Sequence, residues 1–390
     1  MNQERQKYQS IAFMKYTPTA FIVDSPFQVL CAIEAIKEFV IDDYLLVLPI
    51  DGNERKEQML QMVNDEHLVY QVIPSYDTDV ILGDLFSNNG IYTSSLPKYF
   101  ERIVIGDYFA FDQWALAYLY AKPNAVVFYM DDGSASIDLL QRREVKGEPA
   151  YWYLKYKWRK TDYLPTMAMR RRIKDKWKEK NICAYDCIYT IYSDLNKNRF
   201  EIYPNDFSYL KARLSEVHSD KSIYVVGTYS IGYSQSMGIS LRQYEGILWH
   251  KLSEIRDANP DMNIVYIPHG RDDNSATRLF CNALHIQYKR LDCAIEYYFV
   301  KEKVSPQMIY GFGSTALFSL KKMIPEVKVI NWLIDNPNAP SSVTYKNIAL
   351  YYQKHGIVTD RIPFPSLPFR KRITRIIKML LSEYRGHKNK

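Results

Sequence analysis

Short apolar runs alternate along this chain with stretches in which apolar positions recur every three or four residues. Ala20-Phe21-Ile22-Val23 is a run of the first kind and predicts a buried strand; Asp24-Ser25-Pro26 breaks it. Phe27, Leu30, Cys31, Ile33, Ala35 and Ile36 then keep helical spacing over 27–40, with Ser25 placed to cap the helix and Pro26 at its first position. The rhythm continues through strands at 44–48, 69–73 and 102–105 and helices at 55–63 and 112–121, and reaches a strand beginning at Val126. The basic stretch 154–180 interrupts it, and 187–191 reads as a strand that ends the first unit. Residues 205–221 are polar and mixed, which is where a domain boundary is expected. A second series starts at Ser222-Ile223-Tyr224-Val225-Val226-Gly227, with a helix over 243–258 and strands at 263–267, 294–299, 308–310 and 327–331. Strands alternating with helices predict an α/β protein with doubly wound parallel sheets, here two in tandem with a polar connection. Internal repeats and low-complexity tracts are absent.

Three strand ends carry candidate chemistry. Val126-Val127-Phe128-Tyr129-Met130 runs into Asp131-Asp132-Gly133-Ser134, and open α/β sheets place their chemistry at the carboxyl ends of strands. Two adjacent acids repel, and near a low-dielectric wall one of them holds its proton more tightly, as a general base does. An Asp-Gly turn with a helix cap explains the same residues without chemistry. Ile264-Val265-Tyr266-Ile267 runs through Pro268 into His269-Gly270-Arg271, where both side chains are suited to a phosphate; a surface or capping histidine is the plain alternative. Met308-Ile309-Tyr310 passes through Gly311-Phe312-Gly313 into Ser314-Thr315, ahead of a helical pattern at Leu317, Leu320, Met323 and Ile324. Backbone N–H groups at a helix start plus two hydroxyls make an anion site, although a serine cap alone is common.

Composition narrows the class. A chain of 390 residues that is 47% hydrophobic is long enough for two domains and is not a disordered protein. Its five cysteines, Cys31, Cys183, Cys187, Cys281 and Cys293, are odd in number and mostly in apolar contexts, which points to buried thiols in a reducing compartment. Cys183 and Cys187 lack a second pair or a nearby histidine, so no zinc site is expected. No signal peptide is visible and no apolar run approaches a bilayer span, which leads to a cytoplasmic expectation. The net charge of +7 is concentrated. Residues 154–180 hold eleven Lys/Arg against three acids and 370–390 hold eight against one, leaving the rest net acidic. Both basic segments also carry apolar or aromatic residues, a mixture suited to anionic lipid headgroups; no nucleic-acid motif accompanies them.

Asp131-Asp132-Gly133, His269-Gly270 and Ser314-Thr315 occur together and in this order, and in that they resemble the bacterial GT-B sialyltransferases of glycosyltransferase families 52, 80 and 38. Asp24-Ser25-Pro26-Phe27-Gln28-Val29-Leu30 and Tyr310-Gly311-Phe312-Gly313-Ser314-Thr315-Ala316-Leu317 look most like family 52. In one respect the chain departs from the pattern: the proline precedes the histidine instead of following it. The resemblance implies two Rossmann-like domains facing across a central cleft. The N-terminal, acceptor-side domain would be 1–215 and the nucleotide-sugar domain 222–365. A basic helix or tail would follow over 366–390. It also implies Asp131 as general base, with Asp132, Gly133, Asp24 and Ser25 on the acceptor side. His269, Gly270, Arg271, Gly313, Ser314 and Thr315 would lie around the CMP phosphate, Glu296 on the ribose, and Gly227 and Thr228 along the nucleotide pocket. The expected activity is inverting, metal-independent transfer of Neu5Ac or a related nonulosonate from its CMP-sugar to a bacterial surface glycan, with no cofactor. The place of action would be the inner face of the cytoplasmic membrane. Two rivals remain: a UDP-hexose transferase of the same fold, for which Asp77-Thr78-Asp79 is a weak metal-binding pattern, and a non-catalytic membrane-associated assembly protein.

Overall fold

The computed structural model describes residues 17–49, 54–73, 99–108, 110–141, 175–195, 200–214 and 218–364. Residues 154–174 of the basic stretch, Asp77-Thr78-Asp79 and the 366–390 tail lie outside them. The chain divides into two compact units. The first runs to Ala212 and also holds Asp292–Tyr297; the second comprises Arg213–Leu291 and the chain from Tyr298 onward.

In the first unit, β1 (Thr19–Ile22), β2 (Tyr44–Pro49), β3 (Tyr70–Ile73), β4 (Phe100–Ile105), β5 (Ala121–Met130), β6 (Cys183–Thr190) and β7 (Glu201–Pro204) form one sheet in the order β3-β2-β1-β4-β5-β6-β7. Every pairing is parallel. The strands read as near-continuous apolar runs because helices cover a parallel sheet. Those helices are α1 (Pro26–Glu38), α2 (Glu54–Asp65), α3 (Phe111–Tyr120), α4 (Ala135–Gln141) and α5 (Ser208–Leu214). The start of α1 is as its sequence predicts: Ser25 accepts the Gln28 N–H and Pro26 opens the first turn. Strand order reverses between β1 and β4, so the crevice beyond their carboxyl ends is the switch point of this sheet.

The second unit repeats the scheme. β8 (His218–Val226), β9 (Asn263–Ile267), β10 (Gln287–Tyr288), β11 (Val304–Gly311), β12 (Lys328–Asp335) and β13 (Val358–Pro363) lie in the order β10-β9-β8-β11-β12-β13. These pairings are also parallel. Its helices are α6 (Ser230–Ser236), α7 (Leu241–Ala258), α8 (Ser275–Ala283), α10 (Thr315–Met323) and α11 (Ser342–Lys354). One core joins Ile223, Val225, Tyr244, Leu248, Leu252, Tyr266, Phe312 and Trp332. The switch point falls between β8 and β11. No helix among the described residues is long and apolar enough to cross a membrane.

One expected element changes type. The strand read over 294–299 is helical, as α9 (Ile295–Glu302). A six-residue run with five apolar or aromatic positions does not distinguish a buried strand from a helix buried on most sides. Residues 294, 295 and 297–300 are all buried, so no polar face gave the helical period away.

Candidate active site

In the first unit the chemistry collects at the switch point. Asp24 follows β1, Asp107 follows β4, and Asp131-Asp132 follow β5. The two members of the pair do different work. Asp131 is fully buried; Thr190 Oγ1 donates to its Oδ1 at 2.7 Å and the Ile191 N–H to its Oδ2 at 2.6 Å. The Thr190 hydroxyl in turn accepts the Tyr192 N–H at 3.0 Å. Asp131 thus ties the end of β5 to the end of β6. The resemblance puts the base at Asp131; in the structure its two carboxylate oxygens accept hydrogen bonds from the neighbouring strand end, and it has no exposed surface.

Asp132 is the half-buried member. Desolvation first, then the negative charges of Asp107 and Asp24, push its carboxyl well above the usual carboxylate range; a hydrogen bond from Gln28 and the charge of Arg55 pull the other way. Arg55 lies 3.8 Å from Asp24. Gly133, at φ +71°, lets the chain turn from β5 into α4. Ser136 fixes the turn by accepting the Asp132 N–H at 3.3 Å.

Gln28 stands behind Asp132, fully buried on α1. Its Nε2 donates to Asp132 Oδ1 at 2.8 Å, while its Oε1 accepts the Asp24 N–H at 2.9 Å and Gln113 Nε2 at 3.3 Å. Gln113, also fully buried, accepts the Asp107 N–H at 2.8 Å. In the sequence Gln28 belongs to a stretch that carries the family resemblance but has no assigned role, and Gln113 stands out in no motif. The available signal was a polar residue inside an apolar helix, because a buried amide requires partners.

In the second unit the expected residues also sit at strand ends. His269 follows β9 and is exposed; its Nδ1 accepts the Arg271 N–H at 3.1 Å. A ring nitrogen that accepts leaves the proton of a neutral imidazole on Nε2, so His269 presents an Nε2–H donor. Asp272 secures this turn: its N–H donates to the His269 carbonyl at 2.8 Å, and its buried Oδ1 accepts both the Ser230 hydroxyl at 2.6 Å and the Ser230 N–H at 3.1 Å. Arg271 is exposed beside it, and Gly270 shares its turn.

Gly227 and Thr228 follow β8. A Cβ on Gly227 would lie 2.6 Å from the Tyr266 hydroxyl, so only glycine fits there. After β11, Gly313 adopts φ +58° and donates its N–H to Asn331 Oδ1 at 2.8 Å. The buried Asn331 was missed because Ile330-Asn331-Trp332 reads as strand interior. Ser314 caps α10 by accepting the Ala316 N–H at 3.3 Å, and Thr315 is the first residue of the helix. A hydroxyl that accepts in a cap keeps its own hydrogen to donate.

Glu296 lies in the Asp292–Tyr297 segment that packs with the first unit, where Gln58 donates to the Cys293 carbonyl and Tyr297 donates to Glu66 at 2.7 Å. Glu296 is buried there, within electrostatic range of Cys31. Among the described residues, no group of three or more His, Cys, Asp or Glu side chains is arranged to hold a metal ion.

No family profile and no curated protein matches this chain. Among solved structures, an α/β-galactoside α-2,3-sialyltransferase from Photobacterium phosphoreum aligns over 88% of this chain and 98% of its own, at 11% identity and TM-score 0.50. A Listeria monocytogenes protein assigned as a UDP-N-acetylglucosamine 2-epimerase aligns over 96% of this chain and 90% of its own, at 12% identity and TM-score 0.49. A further UDP-N-acetylglucosamine 2-epimerase covers 95% of this chain and 97% of its own, at 13% identity and TM-score 0.47. At these identities the likeness is one of fold: this chain has two Rossmann-like α/β domains, as the sialyltransferase does.

Proposed function

We propose that this chain is an inverting glycosyltransferase that moves a sialic acid, or a related nonulosonate, from its CMP-sugar to a hydroxyl of a bacterial surface glycan. One observation carries the reading: Asp132, beyond the end of β5 and held by Gln28 Nε2 at 2.8 Å, is a half-buried carboxylate with a raised pKa. That is what a general base for a sugar hydroxyl needs near neutral pH. In the reaction the acceptor hydroxyl oxygen bonds to the anomeric carbon. The bond from that carbon to the phosphate oxygen breaks, and its electron pair leaves on CMP. The hydroxyl proton passes to Asp132. A single displacement inverts the anomeric centre.

The leaving group carries one phosphate. His269 Nε2–H, the Ser314 hydroxyl and the N-terminal end of α10 are donors of the kind that stabilise such a charge without a metal. Arg271, Thr315, Gly227 and Thr228 stand at the same strand ends of the second unit. The basic segments support an anionic membrane surface as the place of action, where lipid-linked glycans are assembled.

The test is transfer from CMP-Neu5Ac to a galactose-terminated acceptor, with and without EDTA, beside calorimetry with CMP and UDP. CMP binding and EDTA-resistant transfer are expected. Asp132→Asn should lower kcat by on the order of 10²–10⁴ while CMP still binds. His269→Ala should weaken CMP binding about tenfold to a hundredfold. Binding of UDP without CMP, or transfer that collapses with EDTA, would turn the reading toward a UDP-sugar enzyme.

A further inference from the structure

We propose that Gln28 is a positioning residue for Asp132: its amide engages Oδ1 and so leaves Oδ2 as the oxygen that receives the acceptor's proton. The inference rests on Asp132 being the base. The orientation of the Gln28 amide follows from the backbone. The Asp107 N–H is a donor, so the Gln113 atom it meets at 2.8 Å is the carbonyl oxygen, and Gln113 Nε2 faces Gln28. The Asp24 N–H is likewise a donor, 2.9 Å from the same Gln28 atom. Two donors on one atom make it Oε1, so the amine end of Gln28 is the one 2.8 Å from Asp132. A donor fixed there needs a lone pair on Oδ1, which keeps the proton of a neutral Asp132 on Oδ2.

Gly106 makes room for this arrangement. A Cβ at Gly106 would lie 2.2 Å from Gln28 Oε1, so any larger residue displaces the amide. The charged groups facing Asp132 come from three neighbouring elements: Asp24 after β1, Asp107 after β4 and Arg55 on α2. Two of the three are negative, and Gln28 is the neutral donor set against them. Its hydrogen bond favours the ionised carboxylate, which is the form that accepts a proton.

The test compares wild type with Gln28→Leu, which removes the donor, and Gln28→Glu, which keeps the shape and the Oε1 acceptor but sets a second carboxylate against Oδ1. The Asp132 carboxyl is followed by 13C NMR, assigned by its loss in Asp132→Asn, and steady-state kinetics run alongside. Asp132 is expected to titrate at higher pH in both variants. The acid limb of kcat/KM should rise with it, and kcat should fall about tenfold to a hundredfold with the donor KM unchanged. A residue that merely fills space would be replaced by its near-isostere, so wild-type titration and kcat in Gln28→Glu would overturn the proposal. Should Gln28→Leu fail to fold, Gln28→Glu decides the matter alone. If the variants shift the Asp132 titration while the wild-type protein itself transfers nothing, the Gln28 hold on Asp132 stands and the transferase reading falls instead.

Discussion

At the scale of single residues, the acidic pair shows what a sequence does and does not carry. Asp131 and Asp132 were legible as a candidate site because two acids and a glycine end an apolar strand. The two residues lie in the turn beyond β5 and take different partners, and nothing in the sequence says which of them faces the site. The answer lies in Thr190 and Ile191, about sixty positions away, whose donors claim Asp131. The two substitutions therefore separate. Asp131→Ala leaves the Thr190 hydroxyl and the Ile191 N–H without an acceptor in the interior, and should lower stability by about 1–3 kcal/mol per orphaned group. Asp132→Asn removes a carboxylate that burial and two like charges disfavour, so stability should hold or rise while transfer is lost. Urea midpoints for both variants at pH 8 check this; equal losses would mean that the pair acts as one structural unit.

At the scale of elements, the strands and long helices were legible because their periods are strong. Asn263–Ile267 was read with its observed bounds, and the Ser25 cap and Pro26 start of α1 follow from local chemistry alone. Two short helices are not legible: α9 is buried over 295–300 and shows no polar period, and α5 lies in a stretch that reads as polar and mixed. What holds α5 explains why. Glu34, fully buried on α1, accepts the Tyr209 N–H at 3.1 Å and the Leu210 N–H at 2.8 Å at the start of this helix. A cap supplied 175 positions away leaves no local mark.

Burial raises the Glu34 carboxyl to about 7, which has a thermodynamic consequence. A carboxylate whose folded pKa is raised binds more protons in the native state than in the unfolded chain. Its contribution is therefore full below the unfolded pKa near 4.3 and is lost as pH rises through about 7. Glu34→Gln cannot ionise, so its melting temperature relative to wild type should climb across that window and level off above it. A difference that stays flat with pH would show that Glu34 is ionised in the folded protein throughout.

At the scale of the whole molecule, two parallel sheets, each with one reversal of strand order, follow from the alternation of elements. The return of Asp292–Tyr297 to the first unit was not legible, because it depends on partners such as Met62 and Glu66 that are distant in the chain. The cysteines test both units at once. None of the five is in a disulfide; Cys31 and Cys187 are buried in the first unit, Cys281 in the second, and Cys293 in the returning segment, while Cys183 alone is exposed. Burial pushes the Cys281 thiol up to about 12 and the Cys31 and Cys187 thiols further, which suppresses the reactive thiolate. Under native conditions an aromatic disulfide reagent should therefore modify about one thiol per chain within minutes, and that fast phase should vanish in Cys183→Ser. The remaining four should react only in denaturant. Rapid native labelling of Cys293 would show that the returning segment opens, and rapid labelling of Cys281 that the core beneath α8 does, so the residue modified identifies which part of the fold fails to close.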